Sequence, residues 1–265
     1  MKIGFIGLGN MAKAIIGGLL DKGIAKPEDI LGSAKTVETM AKVKAEYKIT
    51  VLGSNSEVAA QSDVLFLAVK PIFFPEVMEE IKASVKKDAL VISVAAGKTI
   101  EFIEQGLGNG DIKLVRCMPN TPALVGEGCT GVSLNNNITD ADSELAMKLL
   151  SSFGKAYIVP ERLMDVVGAV SGSSPAFVFM FIEAMADGAV AGGMPRKQAY
   201  EFAAQAVLGS AKLVLETGKH PGELKDMVCS PGGTTIEGVK TLEECGLRGS
   251  VMDAMEAVLE KTKRL

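Results

Sequence analysis

A glycine-rich turn near the N-terminus constrains the fold more than any other feature of the sequence. The segment Gly7-Leu8-Gly9-Asn10-Met11-Ala12 follows a short apolar run at residues 2–6 and leads into a helical pattern at residues 10–22. This strand–turn–helix context with a G-x-G-x-x-G/A pattern is typical of the first βαβ unit of a dinucleotide-binding sheet. A plain strand-to-helix turn is the alternative.

Strand and helix patterns alternate from this unit as far as Pro160. Short apolar runs predict strands at residues 2–6, 30–32, 64–69, 90–94, 112–116, 131–134 and 156–159. Periodic segments predict helices at residues 10–22, 75–85 and 140–153, and a further helix that begins at an Asn55 or Ser56 N-cap and reaches Ala60. Such alternation predicts a parallel, doubly wound α/β sheet over residues 1–160.

Beyond Pro160 only helical patterns remain, which predicts an all-α second domain over residues 161–265. The predicted helices span residues 173–192, 196–216, 224–229, 234–245 and 248–263. Residues 177–190 are apolar nearly all round, and a helix of this kind must be buried on every side. Because a domain of about 100 residues seldom achieves this alone, we expect a homodimer with interlocked helical domains. Burial between two domains of one chain is the alternative.

Composition limits the partners and the cellular setting. The net charge of −4 and the pI of about 5.3 argue against a nucleic-acid partner. Glu183 and Asp187 lie within the most apolar helix and argue against a membrane span. Four cysteines without metal or redox spacing, and one histidine, predict a cytoplasmic protein with reduced thiols and no metal site.

The end of the second predicted strand favours NADPH over NADH. An acidic residue at this point would bind the ribose 2′-hydroxyl of NADH, and none occurs in Leu31-Gly32-Ser33-Ala34-Lys35-Thr36. Ser33 and Thr36 can donate hydrogen bonds to a 2′-phosphate, and Lys35 can neutralise its charge. NADH remains possible, since Lys35 can equally be a solvated surface lysine.

Three further segments end predicted strands and should therefore line the ligand crevice. Ala68-Val69-Lys70-Pro71 places a lysine at the coenzyme, and Val94-Ala95-Ala96-Gly97 offers small residues for close approach. In Met118-Pro119-Asn120-Thr121-Pro122, two prolines fix the loop and leave Asn120 near the expected nicotinamide position.

A second anion site is predicted in the helical part. In Ser230-Pro231-Gly232-Gly233-Thr234-Thr235 the glycines can turn backbone amides inward at the start of a helix, a geometry suited to a carboxylate. Alternatively, Thr234 is simply an N-cap.

Ser173 or Ser174 is expected to cap the long apolar helix, with Pro175 in its first turn. Glu161 and Asp165 face a cleft or, as the plainer interpretation, complement a helix dipole.

Taken together, these motifs resemble the pyrroline-5-carboxylate reductase family. The resemblance covers the whole chain, and the stretch from Asp226 to Thr235 is its most specific part. It implies that Ser230, Gly232, Gly233 and Thr234 bind the substrate carboxylate, that Thr235 meets the ring nitrogen as the catalytic residue, and that Glu161 contacts the ligand. Met227 departs from some members, which have an asparagine that touches the cofactor. The coenzyme-binding residues predicted from the residues and the resemblance are Ile6, Gly7, Leu8, Gly9, Asn10, Met11, Ser33, Lys35, Asn55, Ala68, Val69, Lys70, Pro71, Ala95, Ala96 and Asn120.

The implied activity is hydride transfer from NADPH to the C=N bond of 1-pyrroline-5-carboxylate, giving L-proline, in a homodimer that some members assemble into a decamer. Three alternatives remain open: an NADPH-binding redox sensor without turnover, a related imine reductase, and a β-hydroxyacid dehydrogenase. The last needs a lysine base on the helix after the Gly-Ser motif, and residues 176–191 contain no lysine.

Overall fold

The computed structural model describes residues 1–264, and its strands form one eight-stranded sheet. The strands are β1 (Ile3–Ile6), β2 (Ile30–Ser33), β3 (Thr50–Val51), β4 (Val64–Leu67), β5 (Leu90–Ser93), β6 (Lys113–Met118), β7 (Gly128–Leu134) and β8 (Gly154–Ile158). Their order in the sheet is β3-β2-β1-β4-β5-β6-β7-β8. The chain therefore starts in the middle of the sheet and reverses its direction of growth between β1 and β4, which creates a crevice at the carboxyl ends of these strands.

Seven α-helices accompany the sheet or lead out of it, and five follow. The first group is α1 (Asn10–Asp21), α2 (Val37–Tyr47), α3 (Asn55–Gln61), α4 (Phe74–Ile81), α5 (Ile100–Leu107), α6 (Asp140–Leu150) and α7 (Met164–Val167). The second group is α8 (Ser174–Ala191), α9 (Arg196–Thr217), α10 (Pro221–Val228), α11 (Thr234–Glu244) and α12 (Leu247–Thr262).

The central strands are buried on both faces because helices cover both sides of the sheet. Each residue of β1, β4 and β5 is buried, as their unbroken apolar sequences require. Phe5 of β1 stacks on Phe66 of β4 with ring centroids 4.7 Å apart. This packing makes the central strands a rigid base for the loops at their carboxyl ends.

The predicted α/β class is confirmed, with one difference in strand direction. All pairs in the sheet are parallel except β6 with β7, which pair antiparallel from Val115↔Leu134 to Met118↔Gly131. Only a short loop separates these two strands, too short for the crossover that a parallel pair needs. The sequence prediction also missed α2, α5 and the two-residue β3; α2 buries a single residue, Val43, so its apolar stripe is weak.

The apolar helix predicted at residues 177–190 belongs to a longer helical segment. The α7 helix continues through a π-helical turn, Gly168–Ser173, directly into α8. No helix therefore begins at Ser173 or Ser174, and the predicted cap at this point is wrong. Pro175 instead lies inside a continuous helix, where its missing N–H leaves the carbonyl of Ser171 without its usual donor.

The α8 helix is not buried within the single chain. Ala186 is its only buried residue, whereas Phe179 and Met180 are 60% and 68% exposed. Among the described residues, the segment Glu161–Ala191 is the one helix long and apolar enough to cross a membrane by length and composition. The expectation that this helix is buried is therefore not met by one chain alone.

The chain divides into two compact units, and the division does not coincide with Pro160. One unit contains residues 1–173 together with the chain end from Thr262, and the other contains residues 174–261. The first comprises the sheet and its helices. In the second, α8 packs along α9.

Candidate active site

Gly7 forms the tight turn between β1 and α1 and cannot be replaced without strain. Its φ of +94° lies in the region that favours glycine, and a Cβ here would lie 2.7 Å from the carbonyl oxygen of Ala68. Its N–H donates to the carbonyl of Ser33 at 3.0 Å. The turn is thus held between the ends of β2 and β4, and Leu8 beyond it packs over Gly32.

Gly9 has the geometry expected of a phosphate-binding position. It is the N-cap of α1, with φ −76° and no side-chain hydrogen bond to the first turn. A Cβ built on Gly9 would have no atom within 4 Å, so the space beside the helix start is open. The first-turn amides, beginning with those of Asn10 and Met11, are therefore accessible to an anion, and these residues fit the pyrophosphate of NADPH.

A hydrogen-bonded chain links Ser33 at the end of β2 to the start of α3. The hydroxyl of Ser33 donates to Oδ1 of Asn55 at 2.7 Å, and Nδ2 of Asn55 donates to Oε2 of Glu80 at 2.7 Å. Ser54, not Asn55, is the N-cap of α3 and accepts from the N–H of Glu57, which corrects the predicted cap. Ser33 is only 2% exposed, so the more accessible Asn55 is the polar group offered to a ligand at this corner.

Two lysines stand at the same edge of the sheet. Lys35, after β2, is exposed and places Nζ 4.9 Å from the centre of the Phe73 ring. Lys70, after β4, is exposed and precedes the short helical turn that Pro71 begins. Lys35 supplies positive charge at the end of β2, where a 2′-phosphate is expected. Thr36 caps α2 by accepting from the N–H of Thr39.

The segment after β5 forms a turn at Gly97. Ala95 is buried, Ala96 is exposed, and Gly97 has a φ of +72°. Ala68 and Val69 after β4 are half-buried. Close approach of the coenzyme to these two segments stays a prediction.

Asn120 has a different role from the one predicted. It is 8% exposed, and its carboxamide is used within the chain: Oδ1 accepts from the N–H of Cys129 at 2.8 Å, and Nδ2 donates to the carbonyl of Ser171 at 2.9 Å. That carbonyl is the one deprived of a donor by Pro175. Asn120 therefore stabilises the π-helical turn at Ser171, and both ends of its carboxamide are already bonded within the chain.

Glu161 is held by a cation that sequence reasoning overlooked. Arg116 of β6 is 4% exposed and donates from Nη1 to Oε1 of Glu161 at 2.9 Å. The same oxygen accepts the N–H of Ile100, the first residue of α5, at 2.7 Å. The signal was available, because an arginine interrupts the apolar run of β6. Glu161 thus lies at the N-terminus of a helix, as the plainer interpretation predicts, but that helix is α5.

A cavity of about 440 Å³ adjoins this ion pair. Its walls include Gly97 and Thr99, and the charged side chains of Arg116, Glu161, Arg162 and Asp165. Nη2 of Arg116 lies 3.7 Å from Asp165. Both acidic side chains of this cavity are therefore paired with Arg116.

The α11 helix, like α1, begins at a glycine N-cap without a side-chain hydrogen bond, although Ser230 fills the space beside Gly233. Gly233 is the N-cap of α11 and lacks a side-chain cap; Thr234 is the first helical residue. The interpretation of Thr234 as an N-cap is therefore wrong. Gly232 has a φ of +67°, and the N–H of Gly233 donates to the carbonyl of Ser230 at 3.0 Å, so the loop is a tight turn that exposes both threonines.

Other chemistry-bearing groups are absent or engaged. Within residues 1–264 no cluster of ligating side chains could hold a metal ion. Burial raises the pKa of the Cys117 thiol and makes it unreactive. The single histidine, His220, accepts the N–H of Gly222 at 3.0 Å as the N-cap of α10. In the described residues, the candidate sites thus contain hydroxyl groups and backbone N–H groups at helix starts with a glycine N-cap. They contain no acid–base pair.

Comparison with known proteins gives one family match in the sheet-forming part of the chain and another in the helical part. Residues 2–97 match the family described as "NADP oxidoreductase coenzyme F420-dependent", and residues 161–265 match "Pyrroline-5-carboxylate reductase dimerisation". The pyrroline-5-carboxylate reductase of Escherichia coli is 52% identical over 100% of this chain and 98% of its own length.

Solved structures give the same result. A pyrroline-5-carboxylate reductase from Coxiella burnetii superposes with a TM-score of 0.91 at 35% identity, covering 99% of this chain and 97% of its own. The Plasmodium falciparum enzyme, solved with NADP bound, gives a TM-score of 0.88 at 33% identity over 100% and 97% of the two chains.

The sheet, the glycine turn and these matches define an NADP-dependent oxidoreductase. More narrowly, the chain belongs to the pyrroline-5-carboxylate reductase family. The predictions of fold class, enzyme class and NADP coenzyme are confirmed, and the dimerisation family establishes a homo-oligomer.

Proposed function

We propose that this chain reduces the C=N bond of 1-pyrroline-5-carboxylate to L-proline by means of the residues assigned below. The observation that carries the proposal is the presence of two helices, α1 and α11, that each begin at a glycine N-cap without a side-chain partner. One helix start suits the pyrophosphate of the coenzyme, and the other suits the carboxylate of the substrate. NADPH, when bound, supplies the hydride.

In this proposal the crevice of the sheet binds the coenzyme. The backbone at Gly7, Leu8 and Gly9 forms the turn, and the amides of Asn10 and Met11 meet the pyrophosphate. Asn55 and the two lysines, Lys35 and Lys70, form the corner for the 2′-phosphate. Ser33 contributes chiefly through its bond to Asn55, because it is nearly buried. The remaining predicted contacts, Ile6, Ala68, Val69, Pro71, Ala95 and Ala96, serve through their backbone and small side chains.

The α10–α11 loop binds the substrate. The N–H groups of Gly232 and Thr234 receive the carboxylate, because Pro231 has no N–H and the N–H of Gly233 already donates to the carbonyl of Ser230. The hydroxyl of Thr235 orients the ring nitrogen. A protonated imine is already electrophilic, and hydride addition neutralises its charge, so no strong acid is needed beside the reacting carbon. Catalysis then rests mainly on positioning. This fits a chain whose one histidine caps a helix.

Glu161 stays a predicted ligand contact with one restriction. Because Oε1 is already shared by Arg116 and the N–H of Ile100, a direct contact with the substrate would use Oε2. We infer that its main contribution is to hold the start of α5.

The homo-oligomer is proposed to be at least a dimer formed through the helical residues 161–265. Large apolar side chains of α8 and α9, including Phe179, Met180, Phe202 and Leu208, are more than half exposed in the single chain. The helices of a partner would bury these side chains, so no membrane is needed to cover them. The protein is proposed to be a cytoplasmic enzyme without nucleic-acid partners. The proposed coenzyme domain is residues 1–160 and the proposed dimerisation domain residues 161–265, although the compact units divide between residues 173 and 174. Light scattering distinguishes a dimer, with twice the 27.7 kDa chain mass, from a decamer with ten times that mass.

The direct test is oxidation of NADPH at 340 nm by the purified protein with 1-pyrroline-5-carboxylate, run beside NADH. Turnover with NADPH that exceeds turnover with NADH supports the reaction and the 2′-phosphate corner. A preference for NADH would keep the reaction and contradict the roles of Lys35 and Lys70. Binding of coenzyme without turnover would contradict the reaction and favour a redox sensor or another imine substrate.

A further inference from the structure

The Ser33–Asn55 pair continues to a third residue, Glu80, that lies near the C-terminal end of α4. Its carboxylate accepts two hydrogen bonds from Asn55, from Nδ2 at 2.7 Å and from the backbone N–H at 3.2 Å. We propose that Glu80 is a positioning residue for the coenzyme, acting through Asn55. This inference rests on the proposed coenzyme site.

Glu80 decides which way the Asn55 carboxamide faces. An ionised carboxylate can only accept hydrogen bonds, so the atom of Asn55 beside it must be the NH₂ group. The oxygen Oδ1 is thereby turned to Ser33, whose hydroxyl donates to it. Without Glu80, the two ends of the carboxamide could exchange places.

The fixed orientation leaves one donor for a ligand. One hydrogen of Nδ2 is given to Glu80, and over residues 1–264 no acceptor takes the other. Ser33 has already given its only hydroxyl hydrogen to Asn55. The donor that the Ser33–Asn55 pair presents is therefore the second Nδ2 hydrogen, held in place by Glu80 before the coenzyme arrives. Pre-organised donors bind more tightly because less ordering is required on binding.

The junction of α3 and α4 is also held by a contact that does not involve the Glu80 side chain. The hydroxyl of Ser56 donates to the backbone carbonyl of Glu80 at 2.8 Å, and this contact survives any substitution at position 80. A change in coenzyme affinity can thus be separated from a change in folding.

The test is the Kd of NADPH, measured by fluorescence titration without substrate, together with kcat and the KM for NADPH in the full-length protein. Glu80→Ala should raise the Kd and KM about fivefold, the value of one lost hydrogen bond, and leave kcat within about twofold. Glu80→Gln has one acceptor oxygen for the two N–H groups of Asn55 and should therefore restore only part of the affinity. Glu79→Ala is the matched control, since Glu79 lies on the same helix and pairs only with exposed Lys82 among the described residues.

A double-mutant cycle identifies the route. In an Asn55→Ala background, Glu80→Ala should have no further effect on the Kd. An unchanged Kd in the single variant, or an equal rise in both backgrounds, would overturn the proposal. Because the Kd is measured without 1-pyrroline-5-carboxylate, a wild-type protein that binds NADPH but fails to turn over would contradict the proposed reaction and leave the role of Glu80 to be decided by these comparisons.

Discussion

Arg116 and Glu161 form an ion pair in which one carboxylate oxygen serves two partners. Oε1 of Glu161 receives Nη1 of Arg116 at 2.9 Å and the first N–H of α5 at 2.7 Å. The arginine is 4% exposed and the glutamate side chain 34% exposed. The pair therefore ties the segment after Pro160 to β6 and to the helix that follows the Gly97 turn.

Removal of this carboxylate should destabilise the protein. Glu161→Ala leaves a buried guanidinium and a helix N–H without their acceptor, and we expect the free energy of unfolding to fall by about 2 kcal/mol in urea titrations at pH 7. Arg162→Ala, at the neighbouring exposed position, is the control at equal protein concentration. Unchanged stability with a raised KM for 1-pyrroline-5-carboxylate would instead make Glu161 primarily a ligand contact.

The two glycines of the first turn should respond differently to alanine. Gly7→Ala forces a side chain into a positive φ and against the Ala68 carbonyl, so it should cost about 2 kcal/mol or more of folding stability. Gly9→Ala meets no atom and needs no backbone change, so its cost should stay within about 1 kcal/mol, while the KM for NADPH rises on the order of tenfold. Thermal unfolding and steady-state kinetics distinguish them. Equal KM values for wild type and Gly9→Ala would refute the phosphate site.

Thr235→Ala tests the catalytic assignment. Loss of the hydroxyl that orients the ring nitrogen should lower kcat by about ten- to a hundredfold and leave the Kd of NADPH within about twofold. Thr241→Ala is the control, because Thr241 lies on the same helix and its hydroxyl donates to the carbonyl of Glu237. If kcat is the same for Thr235→Ala and Thr241→Ala, Thr235 has no part in the reaction.

Asp63 should make stability sensitive to acid. Hydrogen bonds from Lys86 and from the backbone N–H of Lys2 lower the pKa of this carboxyl. A lowered folded-state pKa stabilises the protein above the unfolded-state value of about 3.9, and this contribution is lost as the pH falls through the folded-state pKa. Asp63→Asn should therefore be slightly less stable than wild type at pH 7, and the difference should shrink below about pH 4. A difference that is constant from pH 7 to pH 3 would contradict this linkage.

Local patterns predicted the elements whose signals lie in a few adjacent residues. The apolar run of β1 and the glycine turn after it define their own geometry, and both were placed correctly. The antiparallel pairing of β6 and β7 was not predicted, because the direction of a strand depends on the length of its connection. The cap at Ser173 was wrong because a helix that continues through a π turn has no start there.

Long-range partners account for the errors in the candidate site. Asn120 seemed free for a ligand because nothing near it in sequence reveals that Cys129 and Ser171 use its carboxamide. Glu80 was not noticed, since a glutamate on an amphipathic helix has no distinguishing pattern and its partner Asn55 lies 25 positions away. Arg116 alone had a local signal, as a charge within a buried strand.

At Gly9, the N-cap of α1 without a side-chain hydrogen bond, folding stability and coenzyme binding favour different residues. Serine is a good N-cap, and at position 9 the backbone already has the extended conformation that a cap requires, with room for the side chain. A hydroxyl there would bond the amides that the coenzyme needs. Selection for heat resistance alone would therefore favour Gly9→Ser, which should give a more stable protein that no longer makes proline. A library built on this chain should keep Gly9 unchanged.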